Sequence, residues 1–235
     1  NIIYLPGSYF PRDNNRIIGK KKFTRNELKI SENSFVFCNF NNSYKITSEE
    51  FEIWMKLLQK IDNSILLLLE TNSEMKKNLY FEAEKFKIND DRIVFIKKTI
   101  FEDHLSRHSL ADLFLDTFNY NAHTTAVDAL WTGLPIITKP GNSFSSRVCG
   151  SLLKFFDLDE LILKNKNEYY NKALELAENP NKLKEIKNKI MKCKDSNKYF
   201  DTKNYTINLE KAYKKIHTIR VNENKFENIY IKDVE

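Results

Sequence analysis

The stretch DLFLDTFNYNAHTTAVDALWTGLPIIT (residues 112–138) decides the fold. It opens on a short apolar run, DLFLDT (112–117), crosses a polar link, and takes up helical periodicity over 123–133 before the apolar PIIT (135–138). Strand, helix and strand joined by short links are the repeating unit of a parallel sheet covered by helices. The link carries His123, Thr124 and Thr125, with Asp128 one turn later. Polar groups at such a handover either cap the helix or hold a ligand.

The same alternation runs upstream. SFVFCNF (34–40) is a short β-rich apolar run, and SILLLLE (64–70) is continuously apolar at its centre, as a strand covered on both faces should be. Between them, SEEFEIWMKLLQKI (48–61) sets Phe51, Trp54, Leu57, Leu58 and Ile61 at helical spacing behind Thr47 or Ser48 as N-cap. A helix over 73–87, the strand RIVFI (92–96) and a short helix around 101–110 lead into the opening stretch, and a further helix begins near Ser143. The expected fold class is therefore α/β, a Rossmann-like doubly wound parallel sheet. From about 158 the pattern is wholly helical, giving C-terminal helices. Residues 1–33, with Pro6, Gly7, Pro11 and Gly19 among charged residues, read as a lead-in or connector, and 219–235 as a polar tail.

Composition excludes several classes. A chain of 235 residues with 41% apolar content supports one large domain, and no apolar run approaches a membrane span. It opens on Asn1 rather than Met, so more protein is expected upstream. Cys38, Cys149 and Cys193 are odd in number and far apart, which argues against a disulfide framework or zinc ribbon and for a reducing, cytoplasmic location. The net charge of +6 is spread over many Lys residues; Lys20-Lys21-Lys22 reads as a solvated connector, and no nucleic-acid partner is expected. With five glycines there is no GxGxxG and no P-loop. Asp157 and Asp159 fall at a break between helices, where acids cap, so no metal is expected there.

In open α/β sheets ligands sit beyond the carboxyl ends of the strands. After the first strand, Lys45 lies in the loop before a helix with Asn41, Asn42, Ser43 and Tyr44 beside it. There an ammonium could meet a phosphate, although Asn-Asn-Ser is equally ordinary turn chemistry. After the third, His104, Arg107 and His108 share a helical face that could stack on a base, or could be incidental to an exposed amphipathic helix. After the fourth, Thr124, Thr125 and His123 at a helix start form a ready anion site, with Asp128 on the same edge placed to accept from a sugar hydroxyl. The competing account makes Thr124 an N-cap and Asp128 a dipole-compensating acid. Arg147, after the fifth, is read as structural.

Together, FCNFNNSYKI, EDHLSRHSLADLFLDT, NAHTTAVDALWTGLPIIT and PGNSFSSRVCGSLL resemble the C-terminal catalytic lobe of the O-linked N-acetylglucosamine transferase family, above all its bacterial, tetratricopeptide-associated members. The likeness runs over most of residues 1–218. It implies one lobe of a GT-B glycosyltransferase, with 34–218 as the nucleotide-sugar-binding part. The implied chemistry is inverting and metal-independent, with no cofactor, and moves a sugar, GlcNAc, from a UDP-sugar donor to Ser/Thr of a protein acceptor. A missing N-terminal lobe and upstream helical repeats are the implied partners. By this resemblance Lys45 stabilises the departing diphosphate, and Asn42 and Tyr44 lie in the donor site. His123, Thr124 and Thr125 hold phosphate oxygens, Asp128 binds the ribose, and His104 and Arg107 flank the uracil. Asn42 stands where better-known members carry Gln, and Ile100-Phe101 replaces a Pro-Lys pair. The same architecture also serves UDP-glucose to Asn or GDP-fucose to Ser/Thr, and a non-catalytic module is the alternative from another class.

Overall fold

The computed structural model describes residues 1–10, 13–196, 200–223 and 227–232. Its strands are β1 (Ile3–Tyr4), β2 (Phe35–Asn39), β3 (Ser64–Glu70), β4 (Ile93–Lys97), β5 (Leu113–Leu115), β6 (Ile136–Ile137) and β7 (Ile229–Tyr230). Its α-helices are α1 (Ser48–Lys60), α2 (Ser73–Glu84), α3 (Phe101–Ser106), α4 (Thr124–Thr132), α5 (Val148–Phe155), α6 (Lys166–Glu178), α7 (Pro180–Asp195) and α8 (Thr202–Glu223).

Five strands form one sheet in the order β4-β3-β2-β5-β6, and every pairing is parallel. The chain winds outward from β2 to β4, then returns to lay β5 on the other side of β2 and continues to β6. Adjacent β2 and β5 thus mark the point where the winding reverses, and their carboxyl ends open the crevice in which such sheets bind ligands. Val36, Phe37 and Cys38 of β2, Leu66 and Leu67 of β3, and all of β5 are buried, as expected of strands covered on both faces. Trp54, Met55, Leu57 and Leu58 carry the apolar side of α1 into this core. The start of α1 is fixed by two bonds from Thr47 to Glu50. The Thr47 amide donates to Glu50 Oε1 at 2.6 Å, and the Thr47 hydroxyl donates to Glu50 Oε2 at 2.5 Å.

The doubly wound parallel sheet is as the sequence predicts, but several boundaries differ. The chain divides into a unit of residues 17–192 and a second unit built from residues 1–16 and 193–235, rather than at 33/34 and 218/219. Residues 17–33 are no free connector. Gly19 donates to Glu102 O at 2.8 Å, and Arg25 donates to Leu110 O, Glu32 O, Ser34 O and the Asp112 carboxylate. One guanidinium satisfies four acceptors because its planar fork holds several donors at fixed angles. In the other unit, β1 pairs in parallel with β7, Tyr4 stacks on Tyr230 at 4.5 Å, and α8 runs through the predicted 218/219 boundary. The expected tail therefore contains a helix end and a strand. The helix expected near Ser143 starts at Val148, because Ser143 and Ser146 bond each other through side chain and backbone in a closed turn first.

Arg25→Ala strips a mostly buried partner from Asp112 and three carbonyls. It should cost about 2–4 kcal/mol in urea unfolding, read as a lowered midpoint at unchanged slope. Lys56→Ala, which breaks only the exposed pair with Glu52, should leave the midpoint where it was.

Candidate functional site

The site is built from the two strand ends at the winding reversal. β2 ends in Asn39, and the following Phe40 and Asn41 are also buried. Asn39 Nδ2 crosses to Leu115 O at 2.7 Å, and Asn39 Oδ1 accepts from the Asn41 amide at 3.0 Å. Asn41 then reaches the neighbouring strand end, donating to Thr117 Oγ1 at 3.2 Å, while its own Oδ1 accepts from the Thr125 hydroxyl at 2.5 Å. Apart from the local Asn39–Asn41 bond, each joins the β2 end to the β5 end, or to α4 beyond it.

Beyond β5 stands Asp116, fully buried. Its Oδ1 accepts from the Thr117 amide at 2.8 Å and the Ala122 amide at 2.6 Å, and its Oδ2 accepts from the Thr138 hydroxyl at 2.6 Å. These bonds fold residues 117–122 into a closed loop and set the position from which α4 departs. Burial pushes the Asp116 carboxyl up to about 6 against the opposing pull of its hydrogen bonds. The Tyr169 hydroxyl donates to Asp116 O at 2.9 Å, tying α6 to the same corner. Sequence reasoning passed over Asp116; the available signal was an acid directly at the end of an all-apolar strand.

α4 begins at Thr124 with His123 as its N-cap, and no side chain supplies a capping bond. The competing account of Thr124 as N-cap is therefore set aside: the chain turns at His123, whose φ of −109° and ψ of −92° lie outside the helix. Thr124 is exposed and Thr125 is committed to Asn41. His123 is turned by its Nε2 contact with Ser145 O at 3.1 Å, and its pKa is lowered, chiefly by burial, with Lys45 repulsion adding to it.

Lys45 ends a 3-10 turn, Ser43–Lys45, that Asn42 precedes as N-cap. Its ammonium donates to Asn121 O at 3.0 Å and lies 3.9 Å from the centroid of the Tyr120 ring. Burial lowers its pKa, partly offset by Asp116 and Cys149. Tyr120 in turn meets Tyr44 at 6.1 Å and His123 at 4.9 Å. Lys45, Tyr44 and His123 are thus gathered with Tyr120 at the start of α4. Asn42 is exposed beside them.

The other predicted residues are placed differently. Asp128 is buried, at 5% exposure, instead of standing on an open edge, because Ala126 to Trp131 are all buried and leave α4 no free face there. His104 and His108 do lie on one face, their rings 5.0 Å apart, but it is not the surface of an exposed helix: α3 ends at Ser106 and residues 107–110 tighten into a 3-10 turn that buries Arg107 and His108. His108 is buried with its ring 5.1 Å from that of Phe40, and His104 lies 5.6 Å from the same ring. Burial lowers His104 to about 4 and His108 to about 3, so both are neutral at physiological pH. Arg107 is buried too; its Nη1 donates to Lys97 O at 2.6 Å, while Nε and Nη2 have no hydrogen-bond partner among the described residues.

A carboxyl raised on folding holds its proton more tightly folded than unfolded, so between its two pKa values stability falls as pH rises. For Asp116 that window runs from about 4 to about 6. Relative to Asp116→Asn, the unvaried protein should lose on the order of 2–3 kcal/mol across it, and no further loss should appear above it. Urea unfolding of both proteins at pH 4, 5, 6 and 7 checks this; a difference constant over pH would show that the carboxyl does not titrate there.

The glycosyl transferase family 41 profile matches residues 16–209. Over 187 residues the chain is 34% identical to the Caenorhabditis elegans UDP-N-acetylglucosamine–peptide N-acetylglucosaminyltransferase, a match covering 80% of this chain and 16% of that protein. It is 33% identical over 223 residues to the probable enzyme of that name, SEC, from Arabidopsis thaliana, covering 92% of this chain and 23% of that one. The chain therefore spans less than a quarter of the length of these relatives. A mutant O-GlcNAc transferase from Thermobaculum terrenum superposes with a TM-score of 0.81 at 24% identity, covering 94% of this chain and 42% of that one, and shows the shared fold. The lobe with its β2/β5 crevice is accordingly of GT-B type, and the chain belongs to glycosyl transferase family 41.

Proposed function

We propose that this chain is the donor-binding lobe of an inverting, metal-independent glycosyltransferase that moves GlcNAc from UDP-GlcNAc to Ser or Thr of a protein acceptor. The observation that carries the reading is the meeting of Lys45 with the uncapped start of α4 at the point where the sheet reverses its winding. A helix start presents amide N–H groups and the positive end of the dipole, and an ammonium beside it adds a full charge. Together they suit a diphosphate whose negative charge grows as the glycosidic bond breaks, and stabilisation of that leaving group is where catalysis gains most.

In this reading Lys45 lies over the departing diphosphate, and His123, Thr124 and the backbone amide of Thr125 line the helix start against the phosphate oxygens. Asn42 and Tyr44 face the donor from the preceding turn. The two nitrogens of Arg107 without protein partners support its contact with the uracil, beside His104. Asp128, one turn into α4, is the residue assigned to the ribose. The protein acceptor, the second lobe that closes the cleft and upstream helical repeats belong to the longer protein. No cofactor or metal enters the scheme; the charge of the diphosphate is met by the ammonium and the helix. A cytoplasmic setting accords with cysteines that form no disulfide, and among the described residues no helix is long and apolar enough to cross a membrane.

Calorimetric titration with UDP tests the reading. The chain should bind UDP, and Lys45→Ala should weaken binding by about tenfold or more, since a charge-assisted contact to phosphate is removed. Well-folded protein that binds no UDP, or binds it equally after the substitution, would overturn the assignment of the site.

A further inference from the structure

We infer that Tyr120 is a positioning residue whose ring face seats the Lys45 ammonium at the start of α4. The inference rests on the donor-site reading above and adds to it a residue whose part is to place the cation.

A lysine has four rotatable bonds, so fixing its ammonium costs side-chain entropy unless its surroundings specify one location. Lys45 has two such guides. Asn121 O accepts one N–H at 3.0 Å, and the Tyr120 ring lies under the charge at 3.9 Å. A cation over a ring face is drawn by the negative face of the π system, more strongly where water is partly excluded. Lys45 is partly buried, and its lowered pKa records that exclusion. An ammonium has three donors; the carbonyl takes one and the ring face occupies one side, so the remaining direction is free to meet an anion.

The ring is held in its turn. The Thr117 hydroxyl donates to Tyr120 O at 2.7 Å, which fixes the backbone of the residue inside the loop closed by Asp116. His123 flanks the ring at 4.9 Å and Tyr44 at 6.1 Å. Tyr120 itself is 37% exposed, so its side chain is not part of the packed core and can be exchanged without opening a cavity there. A residue merely filling space would not need an aromatic face turned to a cation.

Two measurements test the assignment on the chain and its variants. In the first, proton chemical shifts of the Lys45 ε-methylene are read by NMR without ligand. They should be moved upfield by the ring current, return to ordinary lysine values in Tyr120→Leu, and stay upfield in Tyr120→Phe. In the second, UDP affinity is measured for Tyr120→Leu, Lys45→Met and the pair. Tyr120→Leu should weaken binding by about three- to tenfold, Tyr120→Phe should recover most of it, and the double variant should bind no worse than Lys45→Met alone. Identical ε-methylene shifts in the unvaried chain and Tyr120→Leu, or additive losses in the pair, would overturn the inference. Absence of UDP binding by the unvaried chain would instead remove the donor-site reading, and the NMR shifts would still decide whether the ring seats the lysine.

Discussion

The buried carboxylate of Asp116 is the constraint on which the crevice depends. Sitting just beyond β5, it holds the amides of Thr117 and Ala122 and the hydroxyl of Thr138, so three chain segments converge on one side chain. Without it the link from β5 to α4 would have two inward amides unpaired, each a cost of about 1–3 kcal/mol in a dry interior. A charge so deeply buried is itself costly, which is why its pKa is driven upward. The position of the α4 start is the return on that cost. Asn41 and Asn39 extend the same logic across the sheet, binding Thr117 and Leu115 from the other strand end.

The sheet was readable in the sequence because short apolar runs such as SILLLLE, too brief for helices, recur five times in alternation with helical patterns. The strand-end principle then pointed to Lys45, His123 and Tyr44, which the structure does gather. What escaped reading were polar residues whose meaning is set by partners far along the chain. Asn41 bonds residues more than seventy positions away, and Arg25 bonds Leu110 and Asp112 from a segment that looked like a connector. Local chemistry makes both look like loop residues. The burial of Arg107 and His108 has a related cause: periodicity assumes one continuous helix, and the chain tightens into a 3-10 turn after Ser106. The pairing of β1 with β7, more than two hundred residues apart, is invisible to any local pattern because each strand is two residues long.

The electrostatics of the crevice follow from how its two charges are housed. Among the described residues no carboxylate pairs with Lys45; its immediate partners are a neutral carbonyl and an aromatic face. Both orient a cation without neutralising it, whereas a carboxylate in contact would compete with any anionic ligand for the same ammonium. Asp116 supports the lysine at longer range, raising its pKa, while its own oxygens are engaged by backbone and hydroxyl donors. Positive charge therefore remains directed toward the crevice, and the acid that shapes the crevice is withdrawn beneath it. That separation lets one strand end carry a structural carboxylate while the other carries a cation that no acid neutralises by contact. Within the link of residues 117–125, Thr117 and Thr125 bridge to Asn41, Asn121 accepts from Lys45 and His123 meets Ser145 O, so the link is tied to other segments of the chain.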